Sequence, residues 1–152
     1  MTAATAATAA TAATAATAPT AAQLVTTCAR VRTVDASMCA GLTDGSLALL
    51  VAGLPALESV SAFGAGGLRA PPVASPTLRS LALASCSSLE HLTIDCPRLS
   101  ALSLRNCTAL ADASVAAVLA GCPALEALDL VGCASLREIA TGAACLLYTS
   151  DA

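Results

Sequence analysis

The 152-residue chain has no tryptophan and no lysine, and only one phenylalanine, one tyrosine and one histidine. Charged residues make up 11% of it. Each shortage closes a class of function. All seven basic residues are arginines, scattered along a chain of formal net charge −3. A nucleic-acid partner needs a phosphate-facing positive patch, so none is expected. With one histidine and no C-x-x-C pair, zinc lacks its ligand spacing, and no metal is expected. His91 has no nucleophile or orienting partner in a recognisable motif, and the acidic residues form no acid–base couple, so the chain does not read as an enzyme. Gly64-Ala-Gly-Gly67 lacks the helix and the Lys-Ser/Thr of a phosphate loop; it reads as a flexible turn, and no cofactor is expected. The longest apolar run, Leu47 to Leu57, is broken by Gly53 and Pro55 and is too short to cross a bilayer, so no membrane is expected.

What the chain does have is a repeat. Val31, Leu57, Leu78, Leu99 and Leu125 open near-copies of one phrase at intervals of 26, 21, 21 and 26. With these as position 1, position 4 is Val34, Val60, Leu81, Leu102 and Leu128. Position 6 is Ala36, Ala62, Leu83, Leu104 and Leu130; position 9 is Cys39, Ala65, Cys86, Cys107 and Cys133; position 12 is Leu42, Leu68, Leu89, Leu110 and Leu136. Alternation at positions 4 and 6 turns both side chains to one face of a strand. A fixed period of this length means stacked coils, because one coil cannot bury a core alone. About five buried aliphatics per coil, at ~1.5–3 kcal/mol each, fall well short of ordering costs of ~1.5 kcal/mol per residue.

The two long coils carry matching insertions, Leu42-Thr-Asp-Gly-Ser-Leu-Ala-Leu-Leu-Val-Ala-Gly-Leu-Pro55 and Leu110-Ala-Asp-Ala-Ser-Val-Ala-Ala-Val-Leu-Ala-Gly-Cys-Pro123. Each offers an Asp as N-cap, an apolar stripe (Leu47, Leu50, Val51; Val115, Val118, Leu119) and a Gly stop before Pro, which predicts helices at 44–52 and 112–120. The short coils carry a second apolar phrase instead. Leu89-Glu-His-Leu-Thr-Ile-Asp95 reads as a short strand bearing His91, while Pro71 and Pro72 make Leu68-Arg-Ala-Pro-Pro-Val73 irregular rather than a true strand.

Eight cysteines would suggest disulfides. The frame accounts for seven of them: four at position 9, and Cys28, Cys96 and Cys122 in a column with Leu54 three residues before position 1. They read as reduced core thiols, which points to an intracellular, cytoplasmic or nuclear, compartment. The ends stand outside the frame. Residues 1–22 are a Thr-Ala-Ala tract, read as a disordered low-complexity leader without the charged and leucine-rich regions of a secretory signal. The repeats occupy 23–144. Residues 145–152, Cys-Leu-Leu-Tyr-Thr-Ser-Asp-Ala, match an in-frame translation of a sequencing adapter, so they read as an artefactual tail on a truncated repeat array.

The phrase L-x-x-L-x-L-x-x-C-x-x-L resembles the leucine-rich repeat of the cysteine-containing subfamily. The resemblance implies an α/β leucine-rich repeat solenoid of about five coils, with a curved parallel β-sheet on the concave side and helices or short extended segments on the convex side. Cysteine at position 9, the Leu-(Thr/Ala)-Asp helix opening and the Gly121-Cys-Pro-Ala-Leu125 junction are similar to repeats of F-box/leucine-rich-repeat proteins. The mixed 21- and 26-residue coils look most like the plant and algal fifteen-type members. In that family the repeats hold a substrate for ubiquitylation, and a separate F-box recruits the SCF ligase core. No F-box phrase precedes the repeats here, so ligase components are expected only if the full-length protein carries one.

A protein partner is therefore expected on the concave face, whose outward positions 3, 5, 7 and 8 are mostly small. The residues on it expected to anchor or orient that partner are Asp35, Phe63, Arg105, Asn106 and Asp129. The alternative left open by the residues is a structural scaffold, cytoskeletal or axonemal, with no ligase role.

Overall fold

The repeat phrase folds as a stack of very short parallel strands. A computed structural model describes residues 29–137 and Leu147–Thr149. The expected leader, Cys28 and the remainder of the expected tail lie outside the described residues. The five repeat strands are β1 (Thr33–Asp35), β2 (Ser59–Ser61), β4 (Ser80–Ala82), β6 (Ala101–Ser103) and β7 (Ala127–Asp129). They lie side by side in that order, with β8 (Leu147–Thr149) beyond β7. Every pairing is parallel and joins like positions: Val34 to Val60, Val60 to Leu81, Leu81 to Leu102 and Leu102 to Leu128. Although residue 145 was expected to leave the repeat frame, Leu147–Thr149 pair with Ala127–Asp129. Parallel pairing needs only the backbone groups that the edge of β7 presents.

The core is the set of columns read from the frame. Positions 1, 4 and 6 are buried in all five repeats, and positions 9 and 12 in the first four; Cys133 and Leu136 are half-buried. Each buried side chain lies over its counterpart one strand away, so the apolar surface is continuous along the stack.

Inter-repeat hydrogen bonds run beyond the three-residue strands. The position 6 N–H donates to the next repeat's position 5 carbonyl (Ala36 to Ser61, 2.7 Å; Leu83 to Ser103, 2.8 Å). The position 8 N–H donates to the next position 7 carbonyl (Ser85 to Arg105, 2.7 Å). Between them the chain turns sharply, and position 8 is left-handed in every repeat, at φ 60° (Met38), 69° (Gly64), 60° (Ser85), 58° (Asn106) and 77° (Gly132). Glycine takes that conformation without steric cost, and the other three residues do not. A second turn precedes each later strand. Pro55, Pro76, Pro97 and Pro123 are all exposed and stand two residues before position 1; proline's fixed φ suits the first corner of such a turn. In three repeats the turn closes by a backbone bond such as Leu99 N–H to Cys96 O (3.0 Å). At the same column Ser75 is buried, and its hydroxyl oxygen accepts from Leu78 N–H instead (3.2 Å).

The other side of the stack holds α1 (Asp44–Gly53), β3 (Pro72–Ala74), β5 (Thr93–Asp95) and α2 (Asp112–Gly121). β3 and β5 form a parallel pair, with α1 packed beside β3 and α2 beside β5. The predicted helices are present and end one residue later than expected. Leu47, Leu50 and Val51 are buried on α1, Val115 and Val118 on α2, and Leu119 is half-buried. Three expectations need correction. Pro72 does begin a strand, because it is the first residue of a pair edge where a missing N–H costs little. His91 lies just before β5 rather than on it, and is exposed. The Asp residues are not the N-caps.

Thr43 caps α1, its hydroxyl accepting from Ser46 N–H, and Ala111 stands at the cap of α2 without a side-chain bond. Asp44 and Asp112 sit one residue inside, where a carboxylate also suits the helix dipole. They reach sideways to the next repeat: Asp44 accepts from Arg69 N–H (2.8 Å) and Ala70 N–H (3.0 Å), and Asp112 from Arg137 N–H (2.9 Å). In the helix-free repeats a backbone carbonyl serves at this place, Arg69 O for Glu90 N–H (2.9 Å) and Glu90 O for Ala111 N–H (2.9 Å). Where a helix begins, that carbonyl is taken inside its own repeat, Thr43 O by Leu47 N–H and Ala111 O by Ser114 N–H. The aspartate replaces it.

Two glycines in these helices predict opposite outcomes for one substitution. A Cβ on Gly45 meets nothing within 4 Å, whereas on Gly121 it falls on the Ile94 carbonyl of β5. Gly45→Ala is expected to raise unfolding free energy by about 0.5–1 kcal/mol. Gly121→Ala is expected to lower it by about 1–3 kcal/mol through overpacking. Urea titrations of both variants check the pair; equal effects would show that α2 does not press on β5.

Candidate partner-binding face

The sheet face opposite the helices is built from positions 3, 5, 7 and 8, which alternate with the buried columns. Its floor is small. Ser80, Ala82, Ala101, Ser103, Ala127 and Asp129 lie in an open hollow of about 350 Å³ across β4, β6 and β7. With neighbouring strands about 4.8 Å apart, the hollow spans roughly 10 Å along the stack. Backbone approaches such a floor closely because no long side chain projects from it.

The five expected site residues do not form one cluster. Asp35 and Asp129 share position 5 on β1 and β7, four strands or roughly 19 Å apart. Each is partly occupied by its own backbone: Asp35 Oδ1 accepts from Ser37 N–H (2.9 Å), and Asp129 Oδ1 from Val131 N–H (3.0 Å). These are Asx turns, which end the strand cleanly. The bonds from the Ser37 side chain and backbone hold the Asp35 carboxyl below its ordinary range. Asn106 is exposed and fills a left-handed turn, which asparagine tolerates better than most residues, with its side chain lying over Gly132. Structural work therefore accounts for much of three of the five.

Phe63 and Arg105 remain as exposed position 7 residues on repeats 2 and 4. The frame alone passes over a sixth residue, Met38. It is 70% exposed beside the 45% exposed Phe63, and its N–H donates to Phe63 O at 2.6 Å. The signal was its place in a column that favours glycine. The expected flexible turn at Gly64–Gly67 is instead a constrained one. Gly64 is left-handed, and a Cβ on Gly67 would meet the Leu42 carbonyl at 2.5 Å.

The cysteines are packed donors. Cys39, Cys86, Cys96, Cys107 and Cys122 are buried, Cys133 is half-buried, and all six are free thiols. Three position 9 thiols donate to the position 6 carbonyl of the preceding repeat: Cys86 to Ala62 (3.3 Å), Cys107 to Leu83 (3.1 Å) and Cys133 to Leu104 (3.0 Å). Cys96 makes a longer contact to Val73 O on the other side of the stack (3.8 Å). Burial pushes Cys107 up from 9.0 to about 12 and Cys96 to about 11, and raises Cys86, Cys122 and Cys133 in the same direction. A nucleophilic or metal-binding thiol needs the opposite shift. Among the described residues no group of three His, Cys, Asp or Glu is placed to hold a metal, and no helix is long and apolar enough to cross a membrane.

No family model matches the chain, and no curated protein matches it.

The thiols predict an alkaline limit to stability. A group whose pKa is raised on folding contributes its full stability below its unfolded value and loses it as pH rises through the folded value. The urea midpoint should therefore be level just below pH 9.0 and fall steadily towards about 12. Cys107→Ala should flatten that fall while lowering the neutral-pH stability by about 1–3 kcal/mol, since it leaves an empty space and removes one of the two donors to Leu83 O. A midpoint that rises with pH in this window contradicts buried, protonated thiols.

Proposed function

We propose that the chain is a leucine-rich repeat solenoid whose curved sheet face holds a protein partner, serving as the substrate-holding repeats of an F-box-type ubiquitin ligase adaptor. The observation that carries the reading is the equivalence of the repeats. Like positions pair across the five repeat strands, the apolar columns run unbroken along the stack, and the small-residue hollow spans β4, β6 and β7. Stacked units of this kind present an extended surface, and such surfaces bind macromolecules rather than enclose small substrates. The packed, protonated thiols and the scattered carboxylates favour binding over catalysis. The adaptor role rests on the likeness of the position 9 cysteines and of the helix-opening Asp to F-box/leucine-rich-repeat proteins.

Affinity purification of the full-length protein tests both levels. The SCF linker subunit should be recovered with it, and Ala101→Arg on the floor of the face should keep that subunit while reducing substrate recovery at least tenfold. Purification without the linker subunit removes the adaptor role. Unchanged substrate recovery by Ala101→Arg removes the face. Small-angle X-ray scattering of the isolated repeats should give an elongated, bent envelope, and a spherical one would exclude the solenoid.

A further inference from the structure

We propose that Met38 is a reversible oxidation site: among the described residues it is the sulfur that hydrogen peroxide oxidises first in the folded protein, and its sulfoxide sets a polar group on the apolar part of the sheet face. This chemistry is independent of what the face binds.

The chain carries two methionines and eight cysteines. In an unfolded chain the cysteines react first, because part of each thiol is ionised and the thiolate is the reacting form. Folding takes that advantage away. Cys39, Cys86, Cys96, Cys107 and Cys122 are buried, and the position 9 thiols are turned to carbonyls within the stack, as from Cys107 to Leu83 O (3.1 Å). Burial also pushes Cys96 up to about 11 and Cys107 to about 12, so almost no thiolate forms there at neutral pH. Cys133 is half-buried, donates to Leu104 O at 3.0 Å and is shifted in the same direction.

Met38 is placed in the opposite way. At 70% exposure it is the most open of the large apolar residues described. It stands at the left-handed position 8, where the other repeats carry glycine, serine or asparagine. The residue facing it is glycine as well. A Cβ on Gly64 would stand 2.7 Å from Met38 Sδ, so the missing side chain leaves that flank of the sulfur open.

A thioether has no proton to lose before it reacts. A sulfur lone pair takes one oxygen from hydrogen peroxide, the O–O bond breaks and water leaves; the sulfur is oxidised by two electrons and the peroxide is reduced. A methionine sulfoxide reductase reverses the step, the oxygen leaving as water while two thiols become a disulfide. The product in between is a polar, chiral group next to Phe63, which is itself 45% exposed.

The test exposes the full chain, folded and in urea, to hydrogen peroxide at neutral pH and follows each sulfur by peptide mass spectrometry. In urea the cysteines should be oxidised ahead of Met38. In the folded protein the order should reverse, with Met38 gaining one oxygen at a rate within tenfold of its rate in urea and all six described thiols following later. The oxidised protein should keep its thermal midpoint and shift the amide signals of Phe63 and Gly64, and a methionine sulfoxide reductase with dithiothreitol should restore the starting spectrum. Met38→Leu should abolish those shifts while leaving the midpoint unchanged. Oxidation of any described thiol before Met38, a Met38 rate more than tenfold below its value in urea, or a sulfoxide that the reductase leaves in place overturns the assignment.

Discussion

Side chains in this protein pack against their own counterparts one repeat away, and that self-pairing is the constraint from which the rest follows. Leu81 meets Val60 on one side and Leu102 on the other, so a column stays apolar throughout even where its residues change size, as at position 6 from Ala36 and Ala62 to Leu83, Leu104 and Leu130. Strands of three residues would be marginal alone. They persist because the apolar columns and the inter-repeat bonds at positions 6 and 8 hold the same register. The end repeats show the dependence: Val31 and Leu125 keep 8% and 9% exposure, whereas the position 1 leucines between them keep none.

Within that stack the backbone acceptors are shared out closely. The position 6 carbonyl receives the N–H of position 9 in its own repeat and, in the later repeats, a thiol from the next. A cysteine fits because it is small, apolar and still able to donate. A similar economy governs the back of the stack. Ser114, buried on α2, donates to Glu90 O and accepts from Leu92 N–H, joining a helix to an extended segment that has no partner strand there.

Much of this was legible because the periods are simple. Alternation gave the buried strand positions, and the five additional residues of the 26-residue repeats over the 21-residue ones gave both helices. What was not legible depended on residues far apart in sequence. Asp44 looked like a cap because its true partners, Arg69 and Ala70, are 25 and 26 positions away. Pro72 looked like a strand breaker because nothing local shows that it opens a strand with one partner. Of the face, the composition was readable but the division of labour was not. Asp35, Asn106 and Asp129 also serve turns within their own repeats, which the frame does not show, and Met38 stands out through its left-handed backbone and its exposure.

The aspartates at 44 and 112 make the architecture editable. A repeat can change from an extended back to a helical one by gaining five residues, but the insertion consumes a carbonyl that its neighbour was using. One carboxylate, placed a residue further on, makes the longer repeat compatible with the unaltered one beside it. The same device serves both helical repeats, at Asp44 and at Asp112. The acid therefore has to accompany the helix wherever an extended repeat follows it.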